Sequence, residues 1–229
     1  MENHLRSWGC QGVTAQVIDR AAFIRSHTSI MAPPLVPEVK LHLAHEAVPI
    51  WQKTEDELGE TGLPPPFWAF AWAGGQALAR HVLDHPEIVR GRSIVDLASG
   101  SGLVGIAAKL AGARSVLAAD IDPFSIAAIG LNAALNGVAL EVGSGNLLDA
   151  PPPVVDVILA GDVFYEKNTA ARCIAWLKQA KSQVLIGDPG RSYLPREVLE
   201  KQAEYAVPVT RDLEDAEIKQ TAVWTIRNC

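Results

Sequence analysis

A carboxylate lies where a buried strand of this chain ends, and aromatic residues follow it. Residues 154–161, VVDVILAG, form an apolar, β-branched run that is typical of a buried strand. Asp162 ends the run, and Val163, Phe164 and Tyr165 follow directly. A carboxylate in this place can accept N–H bonds from an amine, and aromatic walls would keep water away. Asp162 is therefore a candidate catalytic residue beside a channel walled by Phe164 or Tyr165. The alternative is a turn or helix-capping acid with the aromatics in the core.

A glycine-rich turn lies between an earlier strand and the helix that follows it. The stretch VDLASGSGLVG holds Gly100, Gly102 and Gly105 at the spacing G-x-G-x-x-G, which is typical of a nucleotide-type cofactor site in this context. Asp120 ends the next strand, where such sites usually bind ribose hydroxyls. A tight turn without a ligand is the alternative, and the two signals together favour a cofactor.

The sign of the charge beside the turn indicates which cofactor. Asp96 ends the strand four residues before Gly100, and its carboxylate would repel the pyrophosphate of a dinucleotide. S-adenosylmethionine has no phosphates and carries an ammonium group on its methionine end, so the charge favours it over NAD. Asn146 and Leu147, after the third strand, lie where an adenine would pair and pack, although Asn146 could equally be a turn residue.

Strand and helix signals alternate from residue 73 onward, which predicts an α/β fold with a doubly wound, mostly parallel sheet. Asp122 and Pro123 predict a helix start, Asn168 is expected to cap a later helix that runs through Ala180, and Pro195 is expected to open another. Only a short turn separates the two strands at residues 205–212 and 218–228, so one strand must be antiparallel. Residues 1–65 are proline-rich and less regular, and we expect an N-terminal extension there and a catalytic core at residues 66–229.

Composition narrows the classes of partner. The formal net charge is −6 with 48% hydrophobic residues, which predicts a packed core and argues against a protein held to nucleic acid by its overall charge. Three cysteines without pairing or metal spacing indicate a reducing compartment. The apolar runs are too short to span a membrane. Arginines near the N-terminus suggest a mitochondrial presequence, which nearby acidic residues weaken, so we expect a bacterial cytoplasmic protein, with the mitochondrial matrix as the alternative.

Several segments together resemble one enzyme family. DLASGSGLVG, AADIDP and AGDVFYE are similar to motifs of the seven-β-strand S-adenosylmethionine-dependent methyltransferases. The Asp-Val-Phe-Tyr turn at 162–165, PFWAFAWAGGQALARHVLDHPEIVRG and VLIGDPGRSYLP resemble the electron transfer flavoprotein β-subunit lysine methyltransferases. The resemblance covers roughly residues 35–229. It departs at Ala98, where many relatives have glycine; we expect β-region backbone there.

The resemblance implies a Rossmann-like seven-stranded fold and methyl transfer from S-adenosylmethionine to lysines of the flavoprotein β-subunit. It implies that Asp162 lies at the reacting lysine. We further expect Tyr165 as a second catalytic residue, no metal, and a monomer without nucleic-acid or membrane partners. The cofactor-binding residues would be Trp72, Asp96, Ser99, Gly100, Ser101, Gly102, Asp120, Ile121, Asn146 and Leu147.

Other readings stay open at the level of the sequence. A methyltransferase for another protein or a small amine would share the same core, and an NAD-dependent oxidoreductase or a binding module would share the fold. Trp68 is expected in the core or the channel wall. His42, His45 and Glu46 could share a helical face but lack a fourth metal ligand. Asp188 and Arg191 could shape the substrate entrance or form only a turn.

Overall fold

The computed structural model describes residues 19–45, 47–58, 65–209 and 218–227. Residues 20–58 contribute two helices and a β-hairpin. Helix α1 (Arg20–His27) precedes the antiparallel hairpin of β1 (Ser29–Met31) and β2 (Leu41–Leu43), and α2 (Ala47–Leu58) follows. Val36, Val39, Leu41 and Leu43 are buried in the main core. The hairpin therefore packs on the rest of the molecule, while the expected boundary at residue 65 stays a prediction.

The central element is a seven-stranded sheet in the order β5-β4-β3-β6-β7-β9-β8. Its strands are β3 (Ser93–Leu97), β4 (Ser115–Asp120), β5 (Glu141–Ser144), β6 (Val157–Gly161), β7 (Gln183–Asp188), β8 (Leu199–Pro208) and β9 (Ile218–Ile226). Strands β3, β4, β5, β6 and β7 are parallel to their neighbours in this set, and β9 is antiparallel to both β7 and β8. The predicted doubly wound, mostly parallel sheet with one reversed strand is confirmed.

Helices cover both faces of the sheet, as a parallel sheet requires. They are α3 (Ala73–Asp84), α4 (Leu103–Leu110), α5 (Pro123–Leu135) and α6 (Lys167–Leu177). Alternate strand residues belong to opposite faces: Ile94 and Leu159 pack with α3 and α4, whereas Val95 and Ile158 pack with α6. The sheet is thus buried on both sides, and ligands have access only at the strand ends.

The predicted start of α5 is confirmed. Asp122 is its N-cap, with the carboxylate accepting the backbone N–H of Phe124, and Pro123 is the first helical residue. The strand order changes direction between β3 and β6. Strands β4 and β5 lie on one side of β3, whereas β6 and β7 lie on its other side. In open α/β sheets a crevice for ligands forms at this point, outside the carboxyl ends of the strands.

Two expected helix starts are wrong. The cap of α6 is Glu166, whose carboxylate accepts the N–H groups of Asn168 and Thr169, and the helix ends at Leu177. Pro195 opens only a 3₁₀ turn at Arg196–Val198, and the chain enters β8 at Leu199. Strand β8 lies at the edge of the sheet, where the polar side chains of residues 200–204 stay exposed and where Pro208 is tolerated.

Candidate active site

A cavity of about 800 Å³ lies at the carboxyl ends of β3, β4 and β6. It joins the glycine turn after β3 to the acidic residue after β6. The predicted site residues that line it are Trp72, Asp96, Ser99, Gly100, Ser101, Asp120, Ile121, Asn146, Leu147, Asp162 and Tyr165. Gly102 does not line the cavity: it is the N-cap of α4, and a Cβ there would lie 3.4 Å from the Cα of Ile129. Its φ of +85° is the reason that glycine is required.

The turn itself is built around two carboxylates. Asp96 is 1% exposed, and its Oδ2 accepts the backbone N–H of Gly105 at 2.8 Å and the hydroxyl of Ser99. Asp120 accepts the N–H of Gly100 at 2.8 Å. The backbone is left-handed at Ala98, with a φ of +53°, so the expected β-region conformation there is wrong. Each carboxylate thus fixes the turn while it borders the cavity.

Burial raises the pKa of Asp96 to about 7, although hydrogen bonds from Ser99 and Gly105 oppose the shift. Burial also raises the pKa of Asp120. Among the described residues that line the cavity the basic ones are Arg20, Arg172 and Arg191, and the glycine turn presents none of them. A phosphate would meet two carboxylates there, whereas an ammonium and ribose hydroxyls would be accepted. The residues therefore fit S-adenosylmethionine better than a dinucleotide.

Asp162 lines the cavity directly after β6 and is held from two sides. Its Oδ2 accepts the N–H of Gly75, in the first turn of α3, at 2.9 Å. Its Oδ1 accepts Nε and Nη2 of Arg191 at 3.1 and 2.8 Å. The residue adopts a φ of +56°, which is uncommon outside glycine. Strained backbone of this kind persists only where neighbouring contacts hold it in place.

Arg191 is the site residue that the sequence left undecided between an entrance and a turn. Its guanidinium lies 5.6 Å from the ring centre of Trp72, besides its ion pair with Asp162. Gly161 and Gly187 are register partners in β6 and β7, so the residues that follow these strands meet at one edge. Strand β7 neighbours β6, and an arginine in the turn after β7 is the sequence signal that could have indicated the contact between Arg191 and Asp162.

The aromatic residues divide between the cavity and the core. Tyr165 lines the cavity, is 49% exposed and lies 5.2 Å from Phe67 between ring centres. Phe164 is fully buried in the core. Of the two residues expected to wall the channel, only Tyr165 lines the cavity. Trp68 is buried against Phe124 in the core and also lines the cavity, as the sequence allowed.

The remaining predictions concern turn and metal residues. Asn146 caps the 3₁₀ turn Leu147–Asp149 by accepting the N–H of Leu148, so it is a turn residue that also borders the cavity. Ile121 is 69% exposed at the rim. His42 lies in β2 and His45 beyond it, so the two histidines do not share a helical face, and Glu46 lies outside the described residues.

Comparison with known proteins agrees with this geometry. The family model "Ribosomal protein L11 methyltransferase (PrmA)" matches residues 77–164. The electron transfer flavoprotein beta subunit lysine methyltransferase of Rattus norvegicus is 36% identical over 213 residues, which cover 89% of this chain and 82% of that protein. The Mus musculus protein of the same name is 37% identical with the same coverage. The structure of Thermoplasma acidophilum 1320 aligns with a TM-score of 0.53 at 18% identity, over 67% of this chain and 88% of its own, and shares the fold.

The fold, the cavity and these matches define an S-adenosylmethionine-dependent methyltransferase of the seven-strand class. The predicted class and cofactor are confirmed, and nothing here favours the NAD-dependent oxidoreductase. With relatives above 30% identity along most of both chains, the protein belongs to the electron transfer flavoprotein β-subunit lysine methyltransferase family. It is a lysine methyltransferase.

Proposed function

We propose that this enzyme methylates lysine side chains of the electron transfer flavoprotein β-subunit. The relatives named for that reaction match the chain along most of its length. The structural observation that carries the proposal is one cavity lined by the buried Asp96, the half-buried Asp120, Asp162 and the aromatic residues Trp72 and Tyr165. Such a cavity can hold a cofactor and admit a narrow, unbranched amine to it.

The cofactor would be held by the turn and the loops after β4 and β5. Asp96 would accept its ammonium group and Asp120 its ribose hydroxyls, while Leu147 and Ile121 would pack against the adenine. The cavity wall around the cofactor would be completed by Ser99, Gly100, Ser101, Trp72 and Asn146. When bound, S-adenosylmethionine supplies an electrophilic methyl carbon, and the electron pair of the breaking C–S bond returns to sulfur.

The protein's part in the reaction is to place a neutral amine. Free lysine titrates near 10.4, so it arrives as an ammonium ion without a lone pair to donate. Burial between Trp72 and Tyr165 disfavours the charged form, and the proton leaves to water before transfer. Asp162 then accepts an N–H of the amine and directs its lone pair toward the methyl carbon. The site contributes orientation and exclusion of water.

Partner and compartment follow from the same proposal. The substrate is a folded protein that presents lysines, and we expect neither a nucleic-acid nor a membrane partner for a monomeric enzyme. In the described residues, no helix is both long and apolar enough to cross a bilayer. Cys173 is buried as a free thiol, which suits the reducing cytoplasm of a bacterium or, as the alternative, the mitochondrial matrix.

The proposal is tested by methyl transfer to the purified flavoprotein. We expect label from methyl-labelled S-adenosylmethionine in the β-subunit, with mass spectrometry showing methylated lysines. A cell extract under the same conditions reports other acceptors. Labelling of a different protein or of small amines, with the β-subunit unlabelled, would contradict the proposed substrate.

Asp162→Asn tests the catalytic assignment. The amide keeps the shape of the side chain but loses the charge that pairs with Arg191 and accepts the amine. We expect kcat to fall by roughly 100-fold, since oriented hydrogen bonds at a reacting centre contribute about 3 kcal/mol. The affinity for S-adenosylhomocysteine, measured by calorimetry, should change by less than about threefold, because Asp162 follows β6 and is not part of the glycine turn that would hold the cofactor. Unchanged turnover would remove Asp162 from the mechanism.

A further inference from the structure

Arg191 places a fixed positive charge on the carboxylate that would receive the lysine. Its Nε and Nη2 both contact Oδ1 of Asp162, and the two side chains are 19% and 11% exposed. The arrangement is anchored from behind, because Oδ1 of Asp188 accepts the backbone N–H groups of Gly190 and Arg191 at 2.6 and 2.7 Å. The guanidinium is therefore a built part of the cavity wall.

This contact answers a problem in the chemistry. A lone carboxylate beside a lysine stabilises the ammonium form, which has no lone pair and cannot accept a methyl group. Asp162 would then hold its substrate in the unreactive state. A guanidinium bonded to the same carboxylate cancels that effect, since it stays charged at all relevant pH values and repels a second cation.

Resting on the proposed function, we propose that Arg191 is a positioning residue: by neutralising Asp162 it lets the carboxylate orient a neutral lysine amine without trapping the ammonium. The proton passes from the ammonium to water. The nitrogen lone pair then forms the N–C bond as the C–S bond of the cofactor breaks toward sulfur. Arg191 takes up no proton and gives none.

Other charged or titratable groups line the same cavity and are unchanged in the Arg191 and Arg196 variants compared below. They are Asp96, Asp120, Asp122, Tyr165, Cys173, Arg20 and Arg172. Asp188 does not line the cavity but lies behind the turn that carries Arg191. Burial raises the pKa of Asp188 to about 6, with the negative charge of Asp162 adding to the shift. Since Asp188 borders Arg191, the pH profile of Asp188→Asn shows whether this neighbour contributes to the midpoint.

The first test is the pH dependence of single-turnover methyl transfer to the flavoprotein β-subunit between pH 6 and 10. In Arg191→Gln we expect the midpoint of the rising limb to move upward by about one pH unit, with a roughly tenfold lower rate at pH 7 that recovers at high pH. Arg191→Lys keeps the charge and should restore most of the parent profile. Arg196→Gln is the matched control, because Arg196 is exposed and its guanidinium faces Trp224.

The second test needs no protein substrate. n-Butylamine mimics the lysine side chain, and its binding at pH 7 is measured by calorimetry with S-adenosylhomocysteine present. We expect Arg191→Gln to bind the ammonium about tenfold more tightly than the parent, whereas a purely structural role for Arg191 would weaken binding. Equal or weaker binding in the variant, or a lysine variant that shares the shifted midpoint, would overturn the proposal. Failure of the parent to label the flavoprotein would instead overturn the proposed substrate.

Discussion

At the scale of single residues, Asp96 carries the most specific pH dependence. Its pKa of about 7 means that the carboxyl is neutral below that pH and ionised above it. The ionised form pairs with an ammonium, so affinity for S-adenosylhomocysteine should rise by up to roughly tenfold between pH 6 and 8. Calorimetry at several pH values measures this slope.

Asp96→Asn is the control for that slope. The amide does not titrate, and we expect weak, pH-independent binding across the same range. A slope that persists in the variant would assign the titration to another group, with Asp120 the neighbour whose pKa is also raised. In the ligand-free protein the sign is reversed: the folded pKa exceeds the unfolded value of 3.8, so stability falls as the pH rises from 3.8 to about 7.

Most of the predicted site residues were identified from the residue types at the ends of strands. Asp96, Asp120 and Asp162 could be found because a carboxylate at the end of an apolar run is unusual and the sheet brings such ends together. Arg191 could not be assigned, since its partner depends on how the turn after β7 folds back. Ala98 was misjudged because left-handed backbone in a non-glycine residue leaves no mark on the sequence.

At the scale of elements, the start of α3 sets the position of Asp162. Gly74 lies so close to β7 that an added Cβ would collide with the carbonyl oxygen of Gly187 and lie 2.5 Å from Oδ2 of Asp162. The helix can therefore bring the N–H of Gly75 to that carboxylate only because residue 74 has no side chain. The close approach of helix and strand ends is thus part of the catalytic geometry.

Gly74→Ala should separate catalysis from cofactor binding. We expect kcat to fall by roughly 100-fold because the helix start must shift away from Asp162, with a loss of about 2 kcal/mol in unfolding free energy. Affinity for S-adenosylhomocysteine should change less than turnover. Rates, calorimetry and urea unfolding measure the three quantities.

Gly130→Ala is the matched control in the middle of α5. A Cβ there meets nothing within 4 Å, and alanine favours helix, so we expect parent activity and a stability gain of up to about 1 kcal/mol. Parent-like turnover in Gly74→Ala would show that the helix start has room to move without disturbing the reaction.

Local chemistry predicted some element boundaries and failed at others. Asp122 followed by proline predicts only a helix start, with Asp122 as the N-cap and Pro123 in the first turn. The structure confirms this prediction. At α6 two residues could cap, and Glu166 reaches two backbone N–H groups where Asn168 was expected to cap. Pro195 begins a 3₁₀ turn because the alternating residues after it extend into an edge strand. Competing local signals are resolved by tertiary pairing, which the sequence does not show.

At the scale of the whole molecule, the order of strands and helices was enough to predict the sheet and its one reversed strand. The alternation of strands and helices requires parallel pairing, and the short connection before β9 requires a reversal. The N-terminal segment was less predictable, because its hairpin is short and its core contacts are distant in sequence. Those contacts join the hairpin to the side of the molecule that holds the cofactor turn.

Asn132 makes that connection. This fully buried side chain of α5 accepts the N–H of His42 in β2 at 2.8 Å and donates to the carbonyl of Ser101, in the glycine turn, at 2.7 Å. Asn132→Ala would leave the half-buried N–H of His42 and the buried carbonyl of Ser101 without this partner. We expect a loss of about 3 kcal/mol in unfolding free energy, measured by urea denaturation.

The same change should also weaken cofactor binding, because Ser101 would lose the group that fixes the glycine turn. We expect affinity for S-adenosylhomocysteine to fall by roughly threefold to tenfold, which corresponds to about 1 kcal/mol of turn ordering. Asn168→Ala is the control, since Asn168 is exposed near the start of α6 and should change stability by less than about 0.5 kcal/mol. A destabilised Asn132→Ala with parent affinity would show that hairpin and cofactor turn are held independently, and equal stability of the two variants would remove Asn132 as the link between them.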